Sequence, residues 1–194
     1  MERLVEEART ALVAPGKPID RVSEAESHGP GLYAVHAAPV TWEELRLGER
    51  PDDRPLYLGK AEKSFASRDV HGHFGKRSLG SQSPTGGSTL RRSLAALLAA
   101  RRGYRGVPRN PTKPGHFSNF GLSVEDDKDL SMWMADHLRL TLWPHDDGHL
   151  DDLETRVLRS LEPPLNLAKV KTHWQRPVRS ARKTLAQQAK TWTA

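Results

Sequence analysis

The sequence predicts a mixed α/β (α+β) domain, a small, mainly antiparallel three-stranded sheet flanked by helices, with helical extensions at both ends. Three observations carry that expectation. Two short apolar runs, Gly31–His36 and Pro55–Ala61, lie close together in sequence, the arrangement of strands that pair antiparallel. A third run, Leu138–Trp143, alternates apolar and polar residues with period two. Around them, Leu90, Leu94, Leu97 and Leu98, and again Leu150, Leu153, Val157, Leu158 and Leu161, recur at helical spacing and give helices with one apolar stripe each.

Each element has its own local reason. Glu2–Val13 reads as an amphipathic helix through Leu4, Val5, Ala8 and Leu12, stopped by Pro15-Gly16. Ile19–Pro30 is a polar connector closing on His28-Gly29-Pro30. The first strand is bounded by Pro30 and Pro39, and a polar segment rich in Arg, Asp and Glu then runs to Asp53. After the second strand a short helix is expected from Ser64, its N-cap, to about Val70, followed by a Gly/Ser-rich loop at Gly80–Gly87. Thr89–Arg101 forms the next helix, and Gly103–Gly121, rich in Pro, Gly and Arg, a loop. Asp129–His137 is a short helix with Leu130, Met132 and Trp133 inward, leading into the third strand. The helix at Leu150–Leu161 ends before Pro163-Pro164, and Asn166 follows in an extended segment. Val178–Trp192 is a basic helix. The expected organisation is a helical arm at 1–30, a central domain at 31–167 with an insertion at about 76–143, and a basic helical extension at 168–194.

Composition narrows the function classes. With 194 residues, 36% hydrophobic, and a mean hydropathy of −0.66, the chain can build one domain with a real core. No apolar run approaches the roughly 20 residues of a membrane span, and MERLVEEARTALVA lacks the apolar stretch of a secretion signal. The absence of cysteine excludes disulfides, thiolate zinc sites and cysteine nucleophiles. A cytoplasmic protein with no membrane partner is expected. The net charge is +6, with the basic excess in Lys60–Arg109 and Lys169–Lys190 and the acids in Ser123–Glu154. Such segregation suits a polyanion, although charge alone also fits a basic face that serves solubility.

Two local patterns point to a site. Glu154 falls inside the apolar stripe of its helix, one turn from Leu150 and one from Leu158, and a carboxylate aimed at a core needs a cation, a proton or strong donors. Arg91 and Arg92 sit in the first turn of theirs, where the macrodipole disfavours cations. Beside the backbone N–H groups of Gly86, Gly87 and Ser88, that misfit looks like an anion-binding helix start; the alternative is that both arginines meet surface acids.

At this point the residues resemble the GIY-YIG nuclease family. Its two signature strands appear as Gly31-Leu32-Tyr33 and Tyr57-Leu58-Gly59, with Leu for Ile in each, followed by a helix with Arg68 and a later helix with Glu154 and a Pro-Pro-Leu-Asn ending at Asn166. The lysine in Tyr57-Leu58-Gly59-Lys60-Ala61 looks most like the restriction-enzyme branch. The gap between the signature strands and the material at Lys76–Trp143 both exceed the minimal module. For the family's histidine, His71 lies one turn from Arg68 on an unbroken helix, and His73 fits if Gly72 ends it.

The resemblance implies a metal-dependent endonuclease hydrolysing phosphodiester bonds in double- or single-stranded DNA. Glu154 would bind one Mg²⁺ or Mn²⁺ through the hard oxygen such cations prefer; read alone, it is a buried acid paired with Arg68. Tyr33 is the implied general base, its phenol brought down from about 10 by the metal or a cation such as Lys60. Tyr57 would hold the phosphate or the attacking water, and either tyrosine could instead simply pack in the core. Arg68 offers a planar fork to phosphate oxygens, against an ion pair with Asp69 or Glu62. His73 or His71 could share a proton, and Asn166 would order its loop and donate near the phosphate. Arg91, Arg92, Arg101, Arg102, Arg105 and Arg109, with basic residues of the tail such as Arg179, Arg182, Lys183 and Lys190, would track the DNA backbone, or form a solvated basic face. A non-cleaving DNA- or RNA-binding module on the same scaffold is the alternative, and whether two copies must meet to cut both strands stays open.

Overall fold

The computed structural model describes residues 1–23, 25–65, 83–110, 115, 117–146 and 148–193. Four strands form one sheet: β1 (Lys17–Pro18), β2 (Gly31–Ala37), β3 (Tyr57–Ala61) and β4 (Leu138–Pro144), in the spatial order β1-β4-β2-β3 and antiparallel throughout. The helices of the described residues are α1 (Glu2–Val13), α2 (Pro39–Glu44), α3 (Pro84–Gly87), α4 (Thr89–Arg102), α5 (Val124–His137), α6 (Leu150–Leu161) and α7 (Gln175–Lys190). A mixed α/β fold around a small antiparallel sheet is therefore present, with four strands rather than three. The extra strand follows the helix stop Pro15-Gly16. Gly16 lies against the backbone of Leu140, where a Cβ would come within 2.9 Å, so a residue read as punctuation is a contact that lets Lys17 pair with Leu140.

Period-two alternation along β2 divides the core into two layers. Tyr33, Val35 and Ala37 pack with α4, α5 and α7 around Trp42, Phe120 and Trp133. Leu32 and Ala34, with Leu58 of β3, pack against Ala8 and Leu12 of α1 and Leu153, Val157 and Leu158 of α6. The N-terminal arm is thus one wall of a core. His36 fixes it there: buried on β2, its Nε2 lies 2.9 Å from the carbonyl of Leu12 at the end of α1. On the other layer Val178, Leu185 and Ala189 carry the expected basic extension into the larger core.

Several boundaries differ from the sequence reading, each for a local reason. The polar segment before Asp53 contains α2, opened by Pro39 at its first turn and anchored by buried Thr41 and Trp42. The helix expected from Asp129 begins five residues earlier, where Ser123 accepts from Asp126 N and Glu125, Asp126 and Asp127 complement the positive helix end. Trp133 and Leu130 point inward on it, but Met132 is exposed. Pro84–Gly87, within the expected Gly/Ser loop, makes one helical turn. α4 stops at Gly103, whose φ of 76° is the left-handed conformation that favours glycine. Of the helix expected from Ser64 to Val70, the part from residue 66 on, with Arg68, lies outside the described residues, as do His71 and His73. No helix among the described residues is long and apolar enough to cross a membrane.

Candidate active site

β2 and β3 pair Tyr33 with Gly59 and Val35 with Tyr57, so both signature tyrosines rise from one face of the sheet. Their rings are 6.2 Å apart, centroid to centroid, inclined at 40°. Gly59 makes this possible. A Cβ there would lie 2.5 Å from the hydroxyl and the ring of Tyr33, so the tyrosine crosses the strand at its one bare position. Tyr33 has no solvent exposure, whereas Tyr57 opens into a cavity of about 610 Å³.

Glu154 lines the same cavity. Its helix packs on the opposite face from the tyrosines, and the two approach each other at the β3 edge. Glu154 is 9% exposed, and its Oε2 accepts from Lys169 Nζ at 2.6 Å. The partner is thus a lysine fifteen residues downstream, on a residue with φ of 68°. Lys169 also reaches Asp151 Oδ1 at 2.9 Å, and Lys60 meets that same oxygen at 2.9 Å and Glu62 at 2.7 Å. Asp151, between two ammonium groups, is held down to about 2, chiefly by Lys169 and then by Lys60. Burial works against the charge on Lys169, but Glu154 and Asp151 outweigh it and raise its pKa. Lys60 is raised by Glu62 and Asp151. It pairs across the strands with Leu32, on the α6 face, where its charge meets Asp151 and Glu62.

Asn166 also lines the cavity, and its amide is bonded to the sheet. Its Oδ1 accepts from Leu58 N at 2.9 Å and its Nδ2 donates to Leu58 O at 2.7 Å, an imitation of one further strand residue along β3. Leu165 N donates to Leu56 O at 3.0 Å in the same manner. Asn166 therefore orders the chain between α6 and Lys169, as expected of it.

The expected phosphate-tracking arginines separate. Arg91 has no solvent exposure and donates to Asp127 through Nη2, to the carboxylate at 3.1 Å and the backbone carbonyl at 3.0 Å, with Ser131 Oγ at 3.0 Å. Asp127 is fastened in turn by Ser83 and Thr85. The helix start thus holds a buried ion pair, which corrects the reading of Arg91 as an anion contact. Arg101 and Arg102 lie at the far end of α4, about 18 Å along the helix from Thr89 at the cavity. Arg102 pairs with Asp129 at 2.8 Å, and Arg101 lies 3.6 Å from Glu44. Arg92 stays near the cavity's side of α4, buried and bonded to Asn119, with Arg109 close enough to act on its charge. Arg105 is exposed.

Lys169, Arg179, Arg182 and Lys183, from the basic tail expected to track a phosphate backbone, complete the cavity's charged lining. Positions 179, 182, 183 and 186 form one stripe of α7, and all four line the cavity. Among the described residues no three of His, Asp and Glu gather as a metal cluster. The donor set that exists is one hard carboxylate beside open volume, already holding a cationic group, which fits a divalent cation bound by a single protein side chain.

The family model of the GIY-YIG catalytic domain matches residues 31–188, from the first residue of β2 into α7. No curated protein and no solved structure matches the chain. On a match that spans most of its length, including both signature strands and the Glu154 helix, the chain belongs to the GIY-YIG nuclease family.

Proposed function

We propose that the protein is a metal-dependent endonuclease that hydrolyses phosphodiester bonds in DNA at the cavity between β3, α6 and α7. The observation that carries this reading is that Tyr57 and Glu154, from opposite faces of the sheet, line one basic cavity within the span of the family match. Glu154 would hold a Mg²⁺ or Mn²⁺ ion, whose charge polarises the scissile phosphate and offsets negative charge on the departing oxygen.

The chain's own groups divide the remaining work. Lys169 holds the Glu154 carboxylate at the cavity wall until the substrate and its cation arrive. Tyr57, rather than the solvent-free Tyr33, is the phenol placed to touch a phosphate or to take a proton from the attacking water. The charges of Arg92 and Arg182 interact with the Tyr57 oxygen and favour negative charge developing there. Tyr33 braces that ring from behind. Arg68, with His71 or His73, is proposed to stabilise the phosphate and to share a proton. The Glu154–Lys169 pair would equally suit a non-cleaving DNA-binding module, so one experiment decides. The full chain is incubated with supercoiled plasmid and Mg²⁺. Nicked or linear product, lost with a chelator and with Glu154→Ala, supports the nuclease; salt-sensitive binding of intact plasmid supports the module.

A further inference from the structure

Several arginines among the described residues are matched to acids: Arg91 to Asp127, Arg102 to Asp129, Arg54 to Asp52, Arg156 to Asp152. Arg92, Arg179 and Arg182 are different. Among the described residues Arg92 bonds only to Asn119 and, at 3.4 Å, to Thr89, while Arg179 donates to the carbonyl of Leu167. Arg182 makes no hydrogen bond or ion pair among those residues, although it is half-buried. Arg92 is only 8% exposed, and its Nε has no hydrogen-bond partner among the described residues.

Crowding cations without a counter-charge is costly, and the cost is visible. Burial, then the neighbouring charges of Arg92 and Arg179, bring Arg182 down to about 10. Burial and Arg109 lower Arg92. A set of planar donors under mutual repulsion is matched by an anion from outside, and guanidinium forks suit phosphate oxygens best. Thr89 and Ser118 add hydroxyls to the same cavity wall.

We infer that Arg179 and Arg182 of α7, backed by Arg92 of α4, form a subsite for a DNA backbone phosphate beside the one handled at Tyr57 and Glu154. This rests on reading the cavity as the DNA-cleaving centre. It makes α7 part of the substrate surface, although it follows the last of the family's signature residues in the chain.

The test is equilibrium binding of a short labelled DNA duplex to the full chain over a range of NaCl, in chelator so that nothing is cut. Arg182→Gln is expected to weaken binding about tenfold and to lower the slope of log K against log salt by about one; Arg179→Gln should lower the slope by a similar step. Arg156→Gln, on the outer side of α6 and paired with Asp152, should leave both unchanged. Removing repulsion, Arg182→Gln should melt no lower than the parent protein. If that variant does unfold, the exposed Arg179→Gln carries the measurement. A slope for Arg179→Gln and Arg182→Gln equal to that of Arg156→Gln overturns the subsite. The two readings fail separately: a protein that never nicks plasmid in Mg²⁺ but shows the slope differences retains the subsite and loses the nuclease, whereas nicking with unaltered slopes does the reverse.

Discussion

Tyr33 lies directly over Gly59, its cross-strand partner, and its ring and hydroxyl occupy the space a Cβ would need. The glycine of the second signature strand is therefore a packing requirement of the tyrosine in the first. Gly59→Ala would put a methyl carbon 2.5 Å from a buried ring that cannot swing away. The expected cost is about 1–3 kcal/mol by urea unfolding, with loss of nicking as Tyr57, 6.2 Å from Tyr33, is displaced.

Asn166 makes a comparable prediction through hydrogen bonds. Asn166→Asp keeps the acceptor for Leu58 N but turns a carboxylate oxygen toward Leu58 O. A loss of about 1–3 kcal/mol is expected, measured by thermal unfolding at pH 7. An activity loss without any change in stability would show that the amide serves the substrate instead.

Stability should also depend on pH through His36. Burial, then Arg50, hold the imidazole down to about 4 against an ordinary 6.5, despite its bond to Leu12. The unfolded chain takes up its proton near pH 6.5 and the folded chain only near 4, so stability is full above 6.5 and is lost as pH falls through that window. The loss approaches about 3 kcal/mol by pH 4, and His36→Gln should flatten the curve there. Further acidification protonates paired carboxylates such as Asp151, held near 2 by Lys169, and removes stability again.

The Arg91–Asp127 pair separates buried from exposed electrostatics. Asp127→Ala strands a fully buried guanidinium and is expected to cost about 3–5 kcal/mol in chemical unfolding. Breaking the exposed Arg3–Glu7 pair with Arg3→Ala should cost no more than about 0.5 kcal/mol.

How much of this was legible in the residues depends on where the partner sits. Glu154 could be placed facing inward because its neighbours Leu150, Leu153, Val157 and Leu158 are on its own helix. That its cation is Lys169 could not be read, because a left-handed backbone turn after Asn166 brings the lysine back. Arg91 was misread for the same reason: its acid lies 36 residues away, on a helix whose charged first turn hid its start. β2, β3 and β4 showed themselves by alternation and apolar runs, whereas β1 has two residues and no period to detect. The stripe of Arg179, Arg182 and Lys183 was visible as helical spacing and as basic charge, but its place at the Tyr57–Glu154 cavity depends on how α7 packs.

The clasp that Leu165 and Asn166 make on β3 reaches beyond the pocket. An outermost strand offers bare peptide groups on which a foreign strand can nucleate, and many proteins aggregate by that route. Here one border of the sheet is occupied at Leu56 and Leu58 by the protein's own return segment, and the other is a two-residue stub ending in Pro18. At Leu56 and Leu58 a foreign strand therefore meets the protein's own return segment rather than bare peptide groups.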